Sequence, residues 1–200
     1  MIQPPQPLYF LRHGETFFNA EGRIQGQLDT PLSARGREQA VEAGRTLGEL
    51  LCDAGLDPAD PGYFASPLSR TRDTMMIARE TIGLPETGFA TDPRLMELCF
   101  GRWQDLTWPE IRARYPGGVA DRDRDVWNYA PQDGESYAQL TERVRAWLAE
   151  RSGPTVVVAH GGVARALMVL RGGIAPSQAG AMPVYQGRVL IFSNGTGCWA

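Results

Sequence analysis

Two histidines stand in this chain of 200 residues, and each precedes glycine: Arg12-His13-Gly14 and His160-Gly161-Gly162. A neutral imidazole nitrogen can attack phosphorus and form a phosphohistidine, which splits one hard step into two. The attacking nitrogen must be unprotonated, and a hydrogen bond from the other ring N–H to a backbone carbonyl would fix that tautomer. Phosphoryl transfer spreads charge over the non-bridging oxygens, so positioned cations supply much of the catalysis. Arg12 and Arg70 suit that task, because a guanidinium fork binds phosphate through parallel hydrogen bonds. Glycine after each histidine lets the backbone turn sharply and lets a ligand come close.

Other chemistries are excluded or weakened. All 20 basic residues are arginine, so no reaction can use a lysine amine. Cys52, Cys99 and Cys198 are far apart and odd in number, which gives neither a zinc spacing nor a disulfide framework. None of them has an arginine placed after it as a cysteine phosphatase requires. Two histidines without clustered carboxylates make a poor metal site, so no metal and no cofactor is expected. The net charge of -3 gives no field that favours nucleic acid or an anionic membrane. No run approaches the ~20 apolar residues of a membrane span. The N-terminus does not read as a signal peptide, and the expected location is a reducing cytoplasm.

The elements that must position these groups are legible as periodicity. Leu8–Leu11 reads as a buried strand ending at Arg12-His13-Gly14. Residues 14–32 are rich in Gly, Asn, Gln and Asp and read as loop. Ser33 begins a helix in which Ala40, Ala43, Leu47, Leu50 and Leu51 recur at helical spacing. Tyr63-Phe64-Ala65 is a second strand. Ser66 reads as the N-cap of the next helix, with Pro67 at its first position. Ser136 and Gln139 form a capping-box pattern. Thr155–Ala159, with three consecutive valines, reads as a central strand covered on both faces. It hands over to His160, and a helix follows from Val163. Val189–Phe192 reads as the last strand. Strands alternating with helices imply a three-layer α/β/α sandwich with a mostly parallel central sheet. Ligands bind such sheets outside the carboxyl ends of the strands. The chain reads as a single domain over residues 1–200, with a lid-like excursion at about 98–134.

The run LRHGET, followed by Asn19 and Gln25-Gly26, resembles the signature of the histidine phosphatase superfamily, which includes the phosphoglycerate mutases. Further segments agree in order: TPLS from Thr30, SPLSRT from Ser66, Leu95-Met96-Glu97 with Gly101, Gly134-Glu135-Ser136, and VAHGG from Val158. The resemblance implies a phosphoglycerate mutase-like fold with His13 as nucleophile. It implies that Arg12 and Arg70 bind phosphate and that His160 donates to a phosphate oxygen, where a cation would raise affinity. Glu97 matches the acidic residue that protonates the leaving oxygen and later deprotonates water. By the same resemblance Asn19, Gln25 and Gly26 line the phosphate pocket, and Glu15 is a supporting residue that orients an arginine and the loop. Gly161 offers a backbone N–H at a helix N-terminus, where anions are favoured.

The mutases carry a longer lid with a lysine and paired arginines, which this chain lacks. The resemblance therefore implies a phosphatase acting on a small phosphorylated metabolite, similar to the alpha-ribazole and broad-specificity phosphatases. The alternatives are a 2,3-bisphosphoglycerate-dependent mutase and a non-catalytic phosphate-binding regulator. Arg122 and Arg124 alternate with aspartates and read as a solvated, self-neutralised loop. Trp103, Trp108, Tyr115, Trp127 and Tyr129 crowd the excursion. They read as a local core under a long loop, the other reading being an aromatic wall for a ring or sugar. An edge strand near the C-terminus is available to pair in a homodimer.

Overall fold

The computed structural model describes residues 6–200 and is built on one six-stranded sheet. Its strands are β1 (Leu8–Arg12), β2 (Gly62–Ala65), β3 (Ala90–Thr91), β4 (Thr155–Ala159), β5 (Val189–Ser193) and β6 (Thr196–Trp199). They lie in the order β3-β2-β4-β1-β5-β6. β1, β2, β3 and β4 run parallel, β5 runs antiparallel to β1, and β6 antiparallel to β5. The mostly parallel α/β sandwich expected from the sequence is therefore present. Its antiparallel end holds one strand more than the sequence reading placed, and its other edge holds the two-residue β3. Neither is long enough to print a clear alternation.

Strand side chains alternate between two cores, as the two-residue period requires. Leu8, Phe10, Val157 and Ala159 face a core shared with helices α6 (Tyr137–Leu148) and α7 (Gly161–Gly172). Tyr9, Leu11, Val156 and Val158 face a second core with helices α2 (Ala34–Asp53) and α3 (Ser69–Thr81). All five residues of β4 are buried, which explains its unbroken apolar run.

Three local expectations are corrected. Residues 14–32 are not all loop. A four-residue helix α1 (Phe17–Ala20) sits there, capped reciprocally by Thr16 and Asn19. It is too short for hydrophobic periodicity to reveal. Ser66 is not an N-cap, because its N–H continues the sheet ladder to the Val158 carbonyl at 3.1 Å. α3 begins at Ser69 with Leu68 as a cap residue that offers no side-chain bond. α7 begins at Gly161, directly after the strand, and not at Val163. The capping box of Ser136 and Gln139 is present as expected.

The excursion at 98–134 holds a 3-10 turn (Gly101–Trp103) and two helices, α4 (Trp108–Arg114) and α5 (Pro116–Arg124). Trp103, Leu106 and Ile111 form a small core of its own, with Trp108, Tyr115 and Tyr129 packed against it. The Asp/Arg stretch is mostly the end of α5, not loop. Arg124 does pair with Asp121, both exposed. Arg122 bonds Asp123 but lies over the Trp108 ring at 4.9 Å. Its carbon stem is thereby drawn toward the aromatic cluster. A last helix, α8 (Pro176–Ala179), precedes β5. Among the described residues, no helix is long and apolar enough to cross a membrane.

Candidate active site

The carboxyl ends of β1 and β4 lie side by side, with Arg12 opposite Ala159 in the register. His13 and His160 follow at these ends, and their ring centroids are 5.2 Å apart in an edge-on arrangement. The His13 N–H extends the ladder to the Ala159 carbonyl at 3.0 Å, so the backbone of His13 is held by the sheet. Gly14 allows the tight exit that follows. A side chain there would collide with the Gly36 backbone, where β1's loop crosses the start of α2.

His13 is 3% exposed, and its Nδ1 lies 2.7 Å from the Gly14 carbonyl. A carbonyl only accepts, so Nδ1 carries the hydrogen and Nε2 keeps its lone pair. Burial holds the His13 pKa well below the ordinary histidine value, and the Arg70 and Arg12 charges push the same way. The neutral, correctly protonated imidazole that a nucleophile needs is thus built in.

Arg70 is fully buried and donates to the Leu28 and Gly26 carbonyls at 2.8 Å each. Burial lowers its pKa to about 10, which leaves it a cation at neutral pH. Arg12 donates from Nη1 to the Val184 carbonyl at 2.9 Å, and burial lowers its pKa as well. Among the described residues, the buried nitrogens with no hydrogen-bond partner include Arg12 Nε, Arg70 Nε and His160 Nδ1. Buried polar atoms are nearly always paired, so three orphan nitrogens around one histidine mark where an anion's oxygens belong.

His160 is fully buried and its Nε2 lies 2.8 Å from the Ser66 hydroxyl. Burial, then Arg70 and His13, hold its pKa well below the ordinary value. A dry environment and two arginines disfavour a third positive charge at this position. With the Ser66 hydroxyl donating to Nε2, a neutral His160 carries its ring N–H on Nδ1, the nitrogen that has no protein partner.

Glu97 enters from the loop before the excursion. Its carboxylate accepts from the N–H of Leu98 at 2.8 Å and of Gly162 at 2.9 Å. A side chain on Gly162 would strike Glu97 Oε1, so only glycine lets this approach occur. The Glu97 backbone is latched by Arg143, which donates to its carbonyl at 3.1 Å and pairs with Glu135 at 2.7 Å.

A cavity of about 290 Å³ opens above these groups. Arg12, His13, Arg70 and Glu97 line its floor, together with Asn19, Gln25 and Gly26. Asn19 Oδ1 takes the Thr16 N–H and the Gln186 amide, while Gln25 Oε1 takes the Thr30 hydroxyl. Both side-chain acceptors are thus occupied, and the NH2 donors are the groups left for a ligand. Gly26 has φ +54, a left-handed conformation suited to glycine, and presents its carbonyl to Arg70.

The structure does not bring every expected residue to the cavity wall. His160 and Gly161 are buried and are not among the lining residues. Glu15 is also behind the wall. Its carboxylate accepts from the Ser33 hydroxyl at 2.9 Å, so it braces the loop against the start of α2, and no arginine pairs with it among the described residues. Sequence reasoning missed Ser66 as the partner of His160, Gly162 as the donor to Glu97, and Arg143 as the latch. Ser66 and Gly162 stood inside the quoted SPLSRT and VAHGG segments, so their neighbourhood was visible but their roles were not. The outer wall adds Phe100, Trp103, Trp108, Arg122, Tyr129, Tyr137 and Arg165. Trp103, Trp108 and Tyr129 therefore serve as local core and as cavity wall together, while Trp127, expected in the same local core, packs instead into the main core between the sheet and α6 and α7.

A buried histidine with a free Nε2, a second buried histidine, two arginines without acidic partners and a carboxylate meet at the carboxyl edge of the parallel strands, a set suited to phosphoryl transfer. The model of the histidine phosphatase superfamily (branch 1) matches residues 8–200, and the chain belongs to that superfamily. It is 38% identical over 177 residues to a glucosyl-3-phosphoglycerate phosphatase of Mycobacterium tuberculosis, covering 80% of this chain and 72% of that protein. A metal-independent phosphoserine phosphatase of Arabidopsis thaliana is 32% identical over 170 residues, covering 80% of this chain and 66% of that protein. The solved structure of mycobacterial glucosyl-3-phosphoglycerate phosphatase in complex with VO3 superposes with a TM-score of 0.79 at 32% identity. That match covers 98% of this chain and 97% of the other. The chain is accordingly a phosphomonoesterase of the metal-independent, histidine-based class.

Proposed function

We propose that the protein hydrolyses a small phosphorylated metabolite through a phosphohistidine on His13, with Glu97 as general acid and then general base. The observation that carries this reading is the His13 ring: Nδ1 committed to the Gly14 carbonyl at 2.7 Å, beside the buried cations Arg12 and Arg70. In the first step Nε2 attacks phosphorus. The P–N bond forms, the ester P–O bond breaks, and Glu97 gives a proton to the departing oxygen. In the second step water attacks phosphorus and loses a proton to Glu97. The P–N bond breaks, which returns neutral His13 and releases inorganic phosphate. Arg12, Arg70 and the His160 N–H hold the charge on the non-bridging oxygens throughout. The amides of Asn19 and Gln25 complete the cradle, and Gly161 shapes the turn that brings His160 and Gly162 into place.

Water is the acceptor in this reading because the lid offers no second set of paired cations. Arg124 is matched to Asp121 and Arg122 to Asp123. The excursion at 98–134 acts as a fixed wall with its own small core, within one catalytic domain. The cysteines are free, which fits a reducing cytoplasm.

The mechanism is tested by rapid acid-free quenching with a labelled phosphomonoester, followed by mass spectrometry. Label is expected on His13, stable in base and lost in mild acid. Label on any other residue, or turnover that survives His13→Ala, overturns the assignment.

A further inference from the structure

One cation of the cavity is not among the groups assigned above to phosphate. Arg165 lies on α7, one turn beyond Gly161. Its Nε donates to the Met182 carbonyl at 3.1 Å, and its Nη1 reaches the Tyr137 hydroxyl at 3.5 Å. Among the described residues no carboxylate pairs with it and Nη2 has no protein partner, whereas the other two arginines of the cavity edge, Arg23 and Arg122, are matched. Arg23, for example, is shared among Glu21, Asp105 and Glu110.

Its position relative to Glu97 gives it a role. A side chain at Gly161 would begin 3.4 Å from Arg165 Nη1 and 3.8 Å from Glu97 Oε2. The two groups therefore flank one spot. On the mechanism above, Glu97 protonates the leaving oxygen, so a cation beside Glu97 meets the substituents of the leaving group and not the phosphoryl oxygens. Tyr137 is fixed there by its stack on Trp127, with centroids 5.4 Å apart, and it is 8% exposed. It accepts from Arg165, so its own O–H is unspent. An unpaired guanidinium fork beside a free phenol donor matches the two oxygens of a carboxylate.

We propose that Arg165 and the Tyr137 hydroxyl are the specificity-determining pair that binds a carboxylate on the leaving group. The substrate class is then the phosphate monoesters of small hydroxy acids. This rests on Glu97 being the general acid. A neutral hydroxyl in the same place would leave the guanidinium half desolvated and unmatched, which is a cost that discriminates.

The experiment compares kcat/KM within two pairs that differ by one carboxylate: 3-phosphoglycerate against glycerol 3-phosphate, and O-phosphoserine against O-phosphoethanolamine. The wild-type protein is expected to favour the acid of each pair by tenfold or more. Arg165→Met is expected to bring the ratio close to one, mainly through KM for the acid, and Tyr137→Phe to lower it partway. Arg165→Lys keeps the charge without the fork and is expected to fall between. No preference in the wild-type protein overturns the proposal, and that measurement needs no variant to fold. A ratio unchanged in Arg165→Met overturns it too, since a purely structural residue would slow both members alike. Turnover of p-nitrophenyl phosphate with neither acid accepted removes the carboxylate site and leaves the phosphatase mechanism standing. Loss of His13 dependence on p-nitrophenyl phosphate would instead strike the mechanism itself.

Discussion

The floor and the outer wall of the cavity are built by opposite rules. Floor charges are buried, held by backbone carbonyls, and left without acidic partners: Arg70 by Leu28 and Gly26, Arg12 by Val184. The excursion's charge in the wall is matched by a neighbouring aspartate, Arg122 by Asp123. Arg12 and His13 of the floor extend directly from the sheet, while the excursion's part of the wall belongs to a satellite cluster around Trp103 and Ile111. Burying an arginine without a counter-ion costs folding energy. The floor bears that cost because an unneutralised cation is what a transferring phosphoryl group needs. The excursion's part of the wall bears no such cost, because its arginine is satisfied internally; Arg165, on α7, is the wall cation left without a carboxylate.

The contrast predicts that floor substitutions change kcat and wall substitutions change KM. The largest effect is expected at His13. Removing a nucleophile costs about 10^4-fold or more in kcat, so His13→Ala should retain structure and lose turnover. Glu97→Gln comes next, at about 10²- to 10⁴-fold, the range of general acid–base catalysis. Its loss should be greatest on alkyl phosphates and least on p-nitrophenyl phosphate, whose leaving group needs little protonation. Equal losses on both would remove Glu97 from the role of acid. Trp108→Ala, in the wall, should instead raise KM with kcat nearly kept.

Gly162→Ala sharpens the same comparison without touching a charge. The added methyl would strike Glu97 Oε1 and pack against Leu140 at 2.9 Å. Glu97 must shift, and a displacement near 1 Å can cost about 10²-fold in rate. The expected signature is a leaving-group dependence like that of Glu97→Gln, in a protein whose circular dichroism is unchanged. A variant with wild-type rates on alkyl phosphates would show that the Gly162 N–H does not place the acid.

The floor was also the more legible region in the sequence. A chain with two histidines, each at the end of an apolar run, announces both strand ends. The alternation of Leu8, Tyr9, Phe10 and Leu11 between two cores is a consequence of period two that hydrophobicity alone cannot show, since all four are apolar. What escaped was set by tertiary contact. Ser66-Pro67 has the form of a helix start, but the sheet ladder and His160 claim Ser66 first. Arg122 sits in an alternating charge run that reads as solvated, yet Trp108 captures it. The neutral state of His160 comes from burial first and then from Arg70, which is 90 residues away in the chain and adjacent only in space. α1 and β3 are too short to carry any period.

Acid exposes the remaining difference, because both histidines lie in the floor and the wall has none. The folded pKa of each lies well below the ordinary histidine value, with burial as the main cause. The groups facing His13 are Arg70 and Arg12, and those facing His160 are Arg70, His13, Arg12 and Arg143. In the unfolded chain each histidine takes up a proton near pH 6.5. Below that pH the unfolded state binds more protons than the native one, so stability falls as pH falls. Above it both states are neutral and the histidines contribute no slope. The cost approaches about 1.4 kcal/mol per pH unit for each histidine. Shifted carboxylates such as Asp92, Glu110, Asp125 and Glu150 are all lowered, so they titrate below this window. Urea midpoints measured between pH 7.5 and 5 should therefore be flat above about 6.5 and decline below it. His160→Asn should roughly halve the decline, and a wild-type midpoint that holds level to pH 5 would mean that the floor accepts protons freely and that His13 is not kept neutral by its surroundings.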